Sequence, residues 1–259
     1  MTAEVQLVEL FSSIQGEGPH VGEPTLFVRF GGCDLRCRWC DSPHTWLPSR
    51  RCRLELAPGS GTFREVDNPV PIPVVLEAAR ALDLDSHPFV SLTGGEPLLQ
   101  PEALVAIARA LRVDGPRIHL ETHGLATEAL EQVVEHVDVV SMDWKLASDV
   151  RRADAPRHGP PESFHAQHAA FLRVARRAPE CVVKVVVTPA TTSAELDAMV
   201  DAIASVDPEI PLIVQPVTPF GAVRESPSAQ ELLGTVRRLR LRLPSVRLIP
   251  QTHPQIGMP

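Results

Sequence analysis

The chain reads as an α/β protein built on a parallel sheet, in the form of a partial, open β/α barrel. Three observations predict it. Strand-like and helix-like segments alternate from residue 73 onward. The strands are short and apolar on both faces, as expected of parallel strands joined by right-handed helical crossovers. Polar, chemically unusual residues follow directly after strands, where parallel α/β folds place their active face. Six or seven such strands are too few to close an eight-stranded barrel, and no glycine run after the first strand marks a Rossmann nucleotide site.

Taken in order, residues 5–11 (VQLVELF) and 25–30 (TLFVRF) read as strands. Residues 47–71 carry Pro, Gly, Arg and Ser without a sustained helical period and read as an irregular insertion. A helix begins at Pro73, followed by strand 88–93 and a helix with Pro101 at its start, where a missing N–H is no loss. Strand 117–121, helix 127–137, strand 138–142, helix 162–177, strand 181–187, helix 193–206 and strand 212–215 continue the alternation. A last helix with Ser226 as N-cap and Pro227 in its first turn runs to about Leu241, and strand 246–249 ends the pattern.

With 259 residues, 44% of them hydrophobic, the chain can bury one substantial core, so residues 1–259 are expected to form a single domain. Its 25 basic and 32 acidic residues give a formal charge of −7, which argues against a nucleic-acid partner. The arginine-rich run 237–242 is then the solvated side of a late helix. No apolar run is long enough to span a membrane, and the first eleven residues lack the basic start and apolar core of a secretory signal. A cytoplasmic protein without a membrane partner is expected.

The chemistry starts at Cys33, Cys37 and Cys40, a Cys-x3-Cys-x2-Cys loop directly after the strand TLFVRF. Thiolates are soft ligands, and three on one tight loop can hold three irons of a cubane cluster while leaving the fourth open to bind and reduce something. A closed zinc site needs a fourth ligand, for which Cys52 or His44 is nearest. Five cysteines, an odd count, argue against a disulfide framework, and Cys52 and Cys181 read as plain thiols. Four further polar clusters also follow strands: Gly94-Gly95-Glu96-Pro97, Thr122-His123-Gly124, Asp143-Trp144-Lys145 and Pro216-Val217-Thr218-Pro219.

The cysteine spacing, with Trp39 just before the last cysteine and Gly94-Gly95-Glu96-Pro97 following in order, resembles the radical S-adenosylmethionine (SAM) enzymes. The N-terminal run Ser12-Ser13-Ile14-Gln15-Gly16-Glu17-Gly18, then Gly22, Pro24 and Phe27-Val28-Arg29-Phe30, resembles the 7-carboxy-7-deazaguanine synthases among them. The likeness extends to Cys40-Asp41-Ser42, residues 215–219 and residues 250–253, and is poorest over 47–71.

The resemblance implies a partial barrel of the radical SAM type, with a 4Fe-4S cluster on Cys33, Cys37 and Cys40. The open iron would chelate SAM, and one-electron reduction would give methionine and a 5'-deoxyadenosyl radical. It implies a lyase that contracts 6-carboxytetrahydropterin to 7-carboxy-7-deazaguanine with loss of ammonia, on the way to queuosine and other 7-deazapurines. No side chain is expected to act as an acid–base catalyst. SAM is expected against Trp39, Cys40, Asp41, Gly95, Glu96, Ser141, Asp143, Lys145, Gln215, Pro216, Val217 and Thr218. The pterin is expected against Ile14, Gln15, Gly16, Glu17, Arg29, Thr93 and the terminal carboxylate of Pro259. Gln and Glu can read the amide and amino edge of a pterin, and Arg is the natural fork for a carboxylate. Ser42 is the implied ligand of Mg2+, a weak one unless substrate and water complete the shell. A homodimer and an electron donor such as flavodoxin or ferredoxin belong to the same expectation. Two rivals make other demands: a glycyl-radical activase has no reason to keep Gln15-Gly16-Glu17-Gly18, and a noncatalytic metal-binding module would not cleave SAM.

Overall fold

The computed structural model describes residues 3–156, 159–255 and 257. Ten strands form one sheet: β1 (Leu7–Ile14), β2 (Pro24–Phe30), β3 (Arg51–Glu55), β4 (Phe63–Asp67), β5 (Phe89–Gly94), β6 (Arg117–Thr122), β7 (Val139–Asp143), β8 (Glu180–Val187), β9 (Leu212–Pro216) and β10 (Val246–Leu248). The spatial order is β10-β9-β8-β7-β6-β5-β2-β1-β3-β4. Every ladder from β2 to β10 is parallel. The sheet stays open, with β10 at one edge and β4 at the other.

Among the described residues six α-helices pack on the sheet: α1 (Ile72–Ala81), α2 (Pro101–Arg112), α3 (Thr127–Val133), α4 (His165–Ala175), α5 (Ser193–Val206) and α6 (Ala229–Leu239). In α2, Ala103, Leu104, Ile107, Ala108 and Leu111 recur at helical spacing and bury one face. They join Leu92, Leu120, Val140, Val185 and Val214 of the sheet in one apolar cluster. Each fully buried Val or Leu stabilises the fold by roughly 1.5–3 kcal/mol.

Two expectations need correction. Residues 47–71 are not irregular: β3 and β4 form an antiparallel hairpin that extends the sheet beside β1. Cys52 and Leu54 point into the core while Arg51 and Arg53 face outward, a period-two pattern. Arg53 stacks on Phe63 with its guanidinium carbon 4.0 Å from the ring centroid, and Gly59 and Gly61 at positive φ make the turn. The cap of α6 is Ser228, not Ser226. Its hydroxyl accepts from the Glu231 amide while the Glu231 carboxylate accepts from the Ser228 amide at 2.7 Å, a reciprocal capping box.

Candidate active site

A cavity of about 470 Å³ opens at the carboxyl ends of the parallel strands. Its floor is the cysteine loop. Residues Leu35–Cys37 pair antiparallel with Val150–Arg152, and the Arg38 amide donates to the Asp149 carbonyl at 2.9 Å. The free thiols of Cys33, Cys37 and Cys40 all line the cavity. Burial pushes Cys33 up to about 11 and Cys37 up to about 12, against the pull of Lys145, and raises Cys40 as well. Thiolates here therefore need a positively charged group to hold them. Among the described residues no three Cys, His, Asp or Glu side chains stand close enough to share one metal ion. A cubane places its three protein ligands on three different irons, so the donor set fits that group.

Gly94 and Gly95 bring the end of β5 down onto this loop. A Cβ on Gly94 would meet the Phe30 amide nitrogen and carbonyl oxygen at 2.4 Å, and one on Gly95 would meet the Gly32 carbonyl oxygen at 2.1 Å. Only glycine fits, and the bare Gly95 backbone lines the cavity.

Glu96, expected beside SAM, is instead fully buried and absent from the lining. Its carboxylate accepts from the Leu98 amide at 3.0 Å, the Thr122 hydroxyl at 2.8 Å and the His123 amide at 2.8 Å. His123 Nδ1 accepts from the Leu125 amide, so Nε2–H donates to Asp34 of the cysteine loop at 2.8 Å. Glu96 braces the loop after β6, and that loop braces the cysteines. Pro216, Val217 and Thr218 also lie off the lining: Val217 packs with Val186, Val223 and Trp39, and Thr218 is exposed. Pro259 lies outside the described residues.

The remaining expected residues line this one cavity. Asp143 Oδ2 accepts from Lys145 at 2.9 Å, and the ammonium stands 4.8 Å from the centre of the Trp39 ring. The two lysines beside Asp143, Lys145 and Lys184, keep its carboxyl below the ordinary range despite burial. Gln15 donates to Glu121 at 3.0 Å and accepts from the Glu17 amide at 3.1 Å. Arg29 uses Nε on Glu9 at 2.9 Å. Thr93 lies 3.5 Å from Glu121 Oε2, and the Ser42 hydroxyl donates to Asp41 at 2.8 Å. The buried Gln215 Oε1 has no hydrogen-bond partner among the described residues and lines the cavity, an acceptor available to a ligand donor.

The Radical SAM superfamily profile matches residues 27–203. The 7-carboxy-7-deazaguanine synthase of Geobacter sulfurreducens is 37% identical over 258 residues, covering 97% of both chains. That of Methanopyrus kandleri is 35% identical, covering 97% of this chain and 93% of its own. The chain belongs to the 7-carboxy-7-deazaguanine synthase family. A crystal structure of QueE from Escherichia coli superposes with a TM-score of 0.62 at 20% identity over 96% of this chain and 95% of that one, which shows the shared fold. Neither the activase nor the noncatalytic reading gains support from these relatives.

Within this 7-carboxy-7-deazaguanine synthase family member, several lining residues escaped the sequence. Glu121 is the next-to-last residue of β6, His119 lies two residues before it, and Lys184 is the one cation in the apolar run of β8. The lone Lys in CVVKVVV was the readable signal, since an unpaired buried lysine is costly. Gln251 and His253 reach the cavity from the far end of the sequence. Thr252 donates its amide to the Gly16 carbonyl at 2.9 Å, and a Cβ on Gly16 would meet the His253 ring at 2.5 Å. Only the fold brings these together.

Proposed function

We infer that this chain is a radical SAM lyase that contracts 6-carboxytetrahydropterin to 7-carboxy-7-deazaguanine with loss of ammonia, in 7-deazapurine biosynthesis. One observation carries the reading: a single cavity has the cysteine triad on its floor and a carboxylate–amide pair, Glu121 and Gln15, with Arg29 on its wall. When bound, the cluster and SAM supply one-electron cleavage and hydrogen-atom abstraction. Everything else falls to positioning and water exclusion by the side chains.

On the SAM side, Asp143 and Ser141 offer acceptors for ribose hydroxyls, Lys145 offers charge to a carboxylate, and Gln215 offers its unpartnered oxygen. Trp39, Asp41 and the Gly95 backbone complete that wall. On the pterin side, Gln15, Glu17 and Glu121 present the donors and acceptors that an amide and an amino group require. Ile14, Gly16 and Thr93 close around the ring, and Arg29, whose Nε donates to Glu9, keeps the rest of its fork, unengaged among the described residues, for the substrate carboxylate.

Mg2+ is assigned to Ser42. Its hydroxyl and the adjacent Asp41 carboxylate are hard oxygen donors at the cavity edge, and substrate and water would fill the remaining positions. The proposal further takes the chain as one domain and a cytoplasmic homodimer, reduced by a donor of the flavodoxin or ferredoxin type. No helix among the described residues is long and apolar enough to cross a membrane.

The test is anaerobic, cluster-loaded protein with reductant, SAM, Mg2+ and 6-carboxytetrahydropterin, with the deazaguanine product read by mass. The product is expected, and its yield should depend on Mg2+. Cleavage of SAM without that product would remove the substrate assignment and leave the superfamily chemistry.

A further inference from the structure

Lys184 is the one cation in β8, whose other residues from Cys181 to Val187 are apolar. Its side chain is 13% exposed, so its charge must be compensated. Two carboxylates from different parts of the site do so. Glu17 Oε2 of the N-terminal loop meets the ammonium directly, and Asp143 Oδ1 of the neighbouring strand β7 lies 3.3 Å away. Asp143's other oxygen holds Lys145. Glu17's other oxygen accepts from Gln251, whose amide also donates to Asp41 at 3.0 Å. The loop that faces the pterin is thus tied twice to groups that face SAM.

We propose that Lys184 is a positioning residue that couples the two half-sites, so that SAM and the pterin each bind more tightly once the other is present. The coupling rests on the assignment of SAM to the Asp143 wall and of the pterin to the loop carrying Gln15 and Glu17. An ammonium is a point charge with three donors; here it donates to Glu17 and stands as an ion pair 3.3 Å from Asp143. A hydroxyl that donates to Asp143 draws off part of that carboxylate's charge, and Lys184 then holds Glu17 more firmly. Glu17 in turn fixes the loop against which the pterin packs. Linkage requires the reverse effect to be equal.

The experiment measures the dissociation constant of SAM for cluster-loaded protein without and with saturating 6-carboxypterin, an unreactive aromatic analogue of the substrate. Binding is the readout, and iron content and circular dichroism report the fold. In the wild-type protein the constant should drop by about fivefold or more, the lower end of ordinary coupling between sites. In Lys184→Met the ratio should fall to within about twofold of one, and Lys184→Arg should restore most of it. Lys184→Met leaves two carboxylates short of a partner, so Lys184→Met/Glu17→Gln, which removes one negative charge with the positive one, serves where the single variant does not fold; it too should be uncoupled. A wild-type ratio of one overturns the proposal, as does a wild-type ratio in either uncharged variant. Protein that binds SAM but not the analogue overturns the substrate assignment and the coupling with it.

Discussion

Glu96 and Glu121 stand at the carboxyl ends of adjacent strands, Glu96 two residues past β5 and Glu121 next to last in β6, yet they do opposite work. Glu96 is fully buried, and both its oxygens are taken by donors of the protein itself. Glu121 receives Ser91 at 2.5 Å and Gln15 at 3.0 Å on one oxygen, while the other has, among the described residues, a single 3.5 Å approach from Thr93; Glu121 lines the cavity. A carboxylate saturated by its own fold is scaffold; one left partly open at a cavity is available to a ligand.

Glu96→Ala should therefore act on stability first. It leaves three buried donors unpaired, and denaturant unfolding should show a loss of about 3 kcal/mol, with faster bleaching of the cluster as Asp34 loses its brace. A stability unchanged within 1 kcal/mol would break the comparison.

The open side should respond to pH. Burial lowers His119 from 6.5 to about 4, so its ring is neutral in the fold. Between those values the unfolded chain binds more protons, so this stability is complete above pH 6.5 and is lost as pH falls toward 4. The unfolding midpoint should therefore fall as pH drops from 6.5 toward 4, and His119→Asn should flatten that slope.

Glu121→Gln should leave the unfolding midpoint nearly unchanged and weaken binding of 6-carboxypterin by about 1.5 kcal/mol, roughly tenfold, with SAM binding retained. Equal losses for both ligands would mean that Glu121 supports the cavity as a whole. The smallest effect is expected from Ser42→Ala. One weak hydroxyl ligand among several oxygens should raise the Mg2+ concentration needed for half-maximal turnover by about threefold, without moving the unfolding midpoint.

What could be read from the sequence was whatever lies close together along it. The cysteine loop, the Gly94-Gly95 approach and the alternation of strands with helices are short-range patterns with local physical causes. Glu96 was misplaced because a Gly-Gly-Glu turn does not reveal which donors arrive from β6. Lys184 could be flagged as an anomaly in an apolar strand, but Glu17 and Asp143 become its partners only once the sheet sets β8 beside β7. The hairpin at β3 and β4 is hard to read from sequence because its outer strand is mostly exposed and carries no alternation, although its inner strand does.

The clasp between Thr252 and Gly16 spans 236 residues. Contacts that far apart form only after the intervening chain has been gathered in. In refolding, the far-ultraviolet signal of helices and sheet should thus recover before the ability to retain a ligand does. A working site then needs the meeting of two distant stretches as well as the eight-residue loop that supplies the cysteines.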